Sequence, residues 1–149
     1  MIHFRYNGEA VGKGRPRVTA RGGKFAHAYT PKRTKEFEDA IRFEFMASTS
    51  DPMPVYPKGT PLQAKILIGC AIPKSYSKKK QAQCREGILV PDKKPDLDNI
   101  CKAVLDALQG NKGRNESGYA FDDDSQVVKL TAEKIYSDEP FVEVTIDEL

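Results

Sequence analysis

Residues 97–109 narrow the choice of folds more than any other stretch. Leu97, Ile100, Cys101, Val104, Leu105 and Leu108 recur at three- and four-residue spacing, so a helix here carries a single apolar face. Such a face has to be buried against other elements. Gly110 follows as the expected terminator. Beside the apolar face, Asp98, Lys102 and Asp106 are spaced by four and form a charged stripe. Asp96 and Asp98 lie at the positive end of the helix dipole, which favours carboxylates. A capping role accounts for one of these aspartates. It does not account for Lys102, nor for the second acidic cluster, Asp122-Asp123-Asp124, just before a strand.

Grouped carboxylates suit a hard divalent cation, which takes oxygen ligands and keeps waters. Other uses of the motif fail on spacing. A calcium loop of the EF-hand type needs a further oxygen ligand and then a glycine where Ile100 and Cys101 stand. A phosphate-accepting aspartate at a strand end needs an apolar strand before it, and Lys93-Lys94-Pro95 precedes Asp96. Gly12-Lys13-Gly14 lacks the hydroxyl residue and glycine spacing of a phosphate-binding P-loop. An oxygen-only site for Mg²⁺ or Mn²⁺ survives.

The remaining elements follow from pattern. Ile2–Tyr6 reads as a strand, and Val18–Tyr29 as a hairpin turning at Gly22-Gly23. Thr30 is the expected N-cap, and Pro31 the first residue, of a helix running to about Ala47, with Phe37, Ala40, Ile41 and Phe45 inward. Ser50–Pro61 holds four prolines and is a stiff connection. Leu62–Ile72 is the clearest strand. Lys74–Glu86 suits a short exposed helix, and Gly87–Pro95 and Asn111–Gly118 are loops. Gln126–Tyr136 and Phe141–Ile146 alternate as two antiparallel strands.

Charge is split along the chain. Residues 1–94 carry 19 Lys+Arg against 8 Asp+Glu, and residues 95–149 carry 5 against 13. A basic part beside a carboxylate-rich part is what a metal-dependent nuclease needs, one surface for the polyanion and one for the metal. The 149 residues suffice for one domain with its own core. No apolar run is long enough for a membrane span, and Met1–Tyr6 lacks the order of a signal peptide. Three irregularly spaced cysteines (Cys70, Cys84, Cys101) are read as reduced thiols of a cytoplasmic protein. His3 and His27 are too few for a histidine metal site.

Two segments carry a family resemblance: Lys94-Pro-Asp-Leu-Asp-Asn-Ile-Cys-Lys-Ala-Val-Leu-Asp-Ala-Leu108, and Phe121-Asp-Asp-Asp-Ser-Gln-Val-Val128. They resemble the RusA family of Holliday-junction resolvases. That pattern is DLDN, a lysine four residues after the second aspartate, a D-A-L helix end, then D-D-x-Q-V entering a strand. The motif spans roughly the last third of the chain. Gly12-Lys-Gly-Arg-Pro-Arg17 is similar to phage and prophage members.

The resemblance implies an α+β fold, with a mixed, largely antiparallel sheet and two main helices in a single domain, 1–149. It implies a homodimer that binds branched, four-way DNA and resolves it with paired symmetric nicks. Mg²⁺ would be the cofactor, with Mn²⁺ as substitute, in the cytoplasm of a bacterial or phage-infected cell. Asp96, Asp98 and Asp124 become the metal-binding catalytic carboxylates, and Lys102 the functional lysine. Asp122, Asp123 and Asp124 leave the register of the third ligand open by one residue, with Asp123 the alternative.

On the residues themselves, Lys13, Arg15, Arg17, Arg21 and Lys24 suit backbone phosphates. Lys78-Lys79-Lys80 reads first as a solvated run, and Phe25 and Tyr29 as hairpin packing rather than base stacking. Leu62–Ile72 and Phe141–Ile146 are the apolar candidates for a dimer contact. Two other classes fit the composition: a non-catalytic nucleic-acid-binding module, and a Mg²⁺ nuclease for another substrate shape.

Overall fold

The computed structural model describes residues 1–14, 31–110 and 119–149 in full, and 17–21 and 25–29 as backbone strands. Strand β1 is Ile2–Tyr6, and β2 (Arg17–Arg21) pairs antiparallel with β3 (Phe25–Tyr29). Helix α1 (Lys32–Ser48), strand β4 (Leu62–Ala71), and helices α2 (Lys78–Arg85) and α3 (Leu97–Leu108) follow. Strands β5 (Val127–Ser137) and β6 (Phe141–Glu148) end the chain. The turn expected at Gly22-Gly23, the Thr30 cap and the 111–118 loop lie outside the described residues. Among the described residues no helix is long and apolar enough to cross a membrane.

The main sheet has the order β1-β6-β4-β5. β6 is antiparallel to both β1 and β4, whereas β4 and β5 are parallel, from Leu62↔Val127 to Ala71↔Ser137. The fold is therefore α+β with a mixed, largely antiparallel sheet. β5 and β6 run in opposite directions, as expected of two antiparallel strands, and do not pair with each other, because β4 lies between them. Alternation specifies which face a strand buries and leaves its neighbours open. Asp138–Pro140 carry the chain past the end of β4, and a few extended residues suffice to cross two strand spacings of about 5 Å each. Both strands named as dimer candidates are interior to the sheet. Its outer strands are β1 and β5, and β5 exposes Val128 and Leu130.

One face of the sheet is apolar by alternation: Ile2 and Phe4, Leu62, Ala64, Ile66 and Ile68, then Val142, Val144 and Ile146 are buried. α1 and α3 cover it. α1 contributes Thr34, Phe37, Ile41 and Phe45, and α3 buries Ile100, Cys101, Ala103, Val104, Leu105, Ala107 and Leu108. Each large side chain so buried contributes about 1.5–3 kcal/mol. Arg42 of α1 donates from Nε to the Ala107 carbonyl at 2.9 Å, satisfying an orphan acceptor in the last turn of α3. α1 starts one residue later than expected, with Pro31 at the N-cap position.

α3 ends where expected, but not through its glycine. Gln109 turns extended, with φ −84° and ψ 147°, and bridges to Phe121. The Gly110 N–H donates to the Phe121 carbonyl at 2.8 Å. Gly110 is needed because a Cβ there would lie 2.5 Å from the Tyr119 ring. Gly110→Ala should therefore destabilise the protein by about 1–3 kcal/mol, the usual range for overpacking. Tyr119→Leu in the same chain should recover much of that loss in urea unfolding. A glycine serving as a left-handed terminator would show no such rescue.

Candidate active site

Burial of its apolar face orients α3 so that the stripe beside it meets the segment after the helix. Phe121, fully buried, anchors that segment. The Ala120 N–H donates to the Leu108 carbonyl at 2.8 Å, and the Ala120 carbonyl accepts from the Tyr56 N–H at 2.9 Å. Asp122–Asp124 thus emerge next to the C-terminal half of α3.

Gln126 shapes the acidic turn. Its Oε1 accepts the N–H groups of Asp122 and Asp123, each at 3.0 Å. Its Nε2 donates to the carbonyls of Pro57 and Thr60, each at 3.1 Å. One buried amide thereby ties the turn to the start of β4. Asp123 caps the single 3₁₀ turn Asp124–Gln126, accepting from the Ser125 N–H at 2.9 Å. The Asp124 backbone N–H donates to Gln109 Oε1 at 3.0 Å, and its carboxylate meets Lys102 Nζ at 2.9 Å. Of the three aspartates, Asp124 faces the α3 stripe while Asp123 holds its own turn.

Lys102 also contacts Asp106 Oδ1 at 3.2 Å, so it leans along the stripe toward Asp106. Its pKa is raised, chiefly by the hydrogen bond to Asp124. The other oxygen of Asp106, Oδ2, lies 3.1 Å from Lys13 Nζ, which also contacts Glu38 Oε1 at 2.6 Å. Burial alone pushes the Lys13 pKa down; the hydrogen bonds to Glu38 and Asp106 more than offset it, and the net shift is upward. Lys13, expected at a DNA phosphate, has its ammonium between two carboxylates. Arg17 and Arg21 sit at the two ends of β2; Arg15 and Lys24 lie outside the described residues.

At the start of α3, Asp96 occupies the N-cap position, yet its side chain caps nothing. Its carboxylate meets Lys94 Nζ at 2.9 Å. The loop presenting it is clamped by Lys134 of β5, which donates to the carbonyls of Lys93 at 2.7 Å and Pro95 at 2.9 Å. Asp98, in the first turn, is exposed. Asp96 lines an open cleft of about 550 Å³ together with Arg33, Lys94 and Asn99.

The structure thus joins Lys102 to Asp124 and places Asp96 and Asp98 at the far end of the same helix. Among the described residues no three acidic, histidine or cysteine side chains form a ready-made metal cage. The donor set still fits a hard cation, being oxygen only, with the Asp96 carboxylate not committed to capping. An ion that keeps several waters needs only one or two carboxylates in direct contact.

Gln126, Gln109, Lys134 and Glu38 were not singled out as site residues. The x-Q of the motif was a usable signal for Gln126. Lys134 and Glu38 carry none, since each meets its partner only through the fold.

Gln126→Ala should cost about 2–4 kcal/mol in denaturant unfolding, because four backbone groups lose their partner together. Cys101, on the buried face of α3, has its thiol pushed up to about 11, first by burial and then by the Asp98 charge. A raised folded-state pKa gives stability that is intact below the unfolded value of 9.0 and lost as pH rises toward 11. The fall in unfolding free energy between pH 8 and pH 11, measured in EDTA, should shrink by about 2 kcal/mol in Cys101→Ala.

The chain matches the family described as endodeoxyribonuclease RusA over residues 7–147. It is 37% identical over 148 residues to the uncharacterized protein YqaN of Bacillus subtilis (strain 168), covering 99% of this chain and 96% of that one. With the acidic turn meeting the lysine of the stripe on the helix that the DLDN segment starts, and a match along almost the whole sequence, the chain belongs to the RusA endodeoxyribonuclease family.

Proposed function

We propose that this endodeoxyribonuclease is a Mg²⁺-dependent resolvase that binds four-way DNA junctions and opens them with paired, symmetric nicks. The observation that carries the reading is the contact between Lys102 and Asp124, 22 residues apart, which puts the acidic turn beside a cationic group suited to a phosphate, on the helix whose start carries Asp96 and Asp98. Asp96, Asp98 and Asp124 would hold Mg²⁺, or Mn²⁺ in its place. When bound, the ion supplies an activated water and neutralises charge on the scissile phosphate. Lys102, released in part from Asp124, donates to a non-bridging phosphate oxygen and stabilises the negative charge that grows there. Arg15, Arg17, Arg21 and Lys24 grip backbone phosphates without reading bases.

Two matched cuts call for two matched sites, and a two-fold homodimer supplies them by symmetry. The outer strands β1 and β5 are available to such a contact, because the interior strands β4 and β6 are paired on both sides.

The test is a cleavage gel with four-way, linear and single-stranded DNA, with light scattering on the same preparation. The expected result is preferential cutting of the four-way junction by a particle of twice 16.6 kDa, supported by Mg²⁺ or Mn²⁺ and stopped by EDTA. Asp96→Asn, Asp98→Asn and Asp124→Asn should each lower cleavage at least about 100-fold, roughly 2.7 kcal/mol of barrier, while junction binding persists. Preference for linear or single-stranded DNA would make this a nuclease of another substrate shape. Junction binding without cutting under any metal would make it a binding module.

A further inference from the structure

Five charged side chains form one alternating line through the molecule: Asp124, Lys102, Asp106, Lys13 and Glu38. Lys102 is the member most open to solvent, and the line becomes more enclosed toward Glu38. Lys102 is 55% exposed, Asp106 14%, Lys13 23% and Glu38 12%. Asp106 is divided between its neighbours: Oδ1 faces Lys102 and accepts from Gln109 Nε2 at 3.3 Å, while Oδ2 faces Lys13.

Lys13 is itself fixed on all sides. Its backbone N–H donates to the Asn99 carbonyl of α3 at 2.9 Å. On either side of it, the buried Thr34 hydroxyl accepts from the Gly14 N–H at 3.1 Å and donates to the Gly12 carbonyl at 3.3 Å. An ammonium this enclosed is badly placed to reach a DNA phosphate. It is well placed to hold two half-buried carboxylates, Glu38 and Asp106, in position.

We infer that Lys13 and Asp106 are positioning residues that hold the Lys102 ammonium at the site. The inference rests on the reading of Lys102 as the group that meets the phosphate. Lys102 has two carboxylate partners, and one of them, Asp124, is shared with the proposed metal. Asp106 is the partner that stays, and Lys13 keeps Asp106 in place against the repulsion of Glu38. Lys13 therefore acts on the reaction through two intermediaries and touches neither DNA nor metal.

The test uses the full-length protein with Asp106→Asn, Lys13→Met and Lys13→Arg, alone and in a Lys102→Ala background. Asp106→Asn and Lys13→Met should each lower the turnover rate by about 10-fold or more, the scale of loss when a supporting partner is removed, with KM for the junction nearly unchanged. Neither should lower it further once Lys102 is alanine. Lys13→Arg should recover most of the rate, since a guanidinium fork can bond both carboxylates.

A second readout needs neither DNA nor metal. In ¹⁵N-lysine spectra the Lys102 ammonium, assigned by its loss in Lys102→Arg, should exchange slowly in the wild type. It should broaden into rapid exchange in Asp106→Asn and Lys13→Met. An unchanged Lys102 signal in both variants would overturn the inference, as would additive losses in the Lys102→Ala background. So would a fall of about 0.9 in the salt slope of junction binding in Lys13→Met, the signature of a lost phosphate contact. A wild-type protein that cuts no junction would sink the nuclease reading, while the ammonium spectra would still decide whether the tether exists.

Discussion

Burial of the apolar face of α3 governs everything else in this molecule. Seven of its twelve residues are buried, and the face that achieves this sets the rotation of the helix about its axis. With the rotation set, Lys102 and Asp106 stand on the next row round, at the border between core and solvent. A half-buried border strengthens ion pairs that water would screen, while leaving the ammonium of Lys102 within reach of a large polyanion. α1 contributes twice, covering the same core and presenting Glu38 and Thr34 to the segment that carries Lys13. The candidate catalytic surface is therefore a by-product of how a hydrophobic core was filled.

Much of this was legible before the fold was known. The extent of α3, the strand expected at Leu62–Ile72, the short helix expected within Lys74–Glu86 and the proline-rich link all follow from local pattern, because each is decided by residues close by in sequence. What could not be read is what distance in sequence hides. The parallel pairing of β4 with β5 joins residues 65 or more apart, and nothing in the alternation of Val127–Ser137 names that neighbour. Nor does the short link before Phe141 reveal that the sheet inserts β4 between β5 and β6. Lys13 shows the same limit. In a run with Arg15 and Arg17 it looks like one more phosphate contact, and only the fold brings Glu38 and Asp106 to it. The order within Asp122-Asp123-Asp124 was likewise open, since three identical side chains are separated only by what Gln126, Ser125 and Lys102 do with them.

The parallel pair has a mechanical effect on the site. Because β4 and β5 begin side by side, the carbonyls of Pro57 and Thr60 lie next to Gln126 and can take both of its amide protons. The acidic turn is fastened to the sheet at the point where two strands start, a stiff place, and not to the tip of a hairpin. Lys134 extends the same support from the middle of β5 to the loop that presents Asp96. A single strand thus steadies both ends of the charged stripe.

The bonds between Gln109-Gly110 and Ala120-Phe121 carry one more consequence. The Ala120 N–H on the Leu108 carbonyl and the Gly110 N–H on the Phe121 carbonyl bring the chain back to where it left. The acidic turn therefore takes its position from bonds made outside the intervening stretch. By loop-closure entropy, doubling such an excursion costs only about 0.6 kcal/mol. A change of length made between Gly110 and Tyr119 should on this ground cost little stability, since the acidic turn keeps its own fastenings.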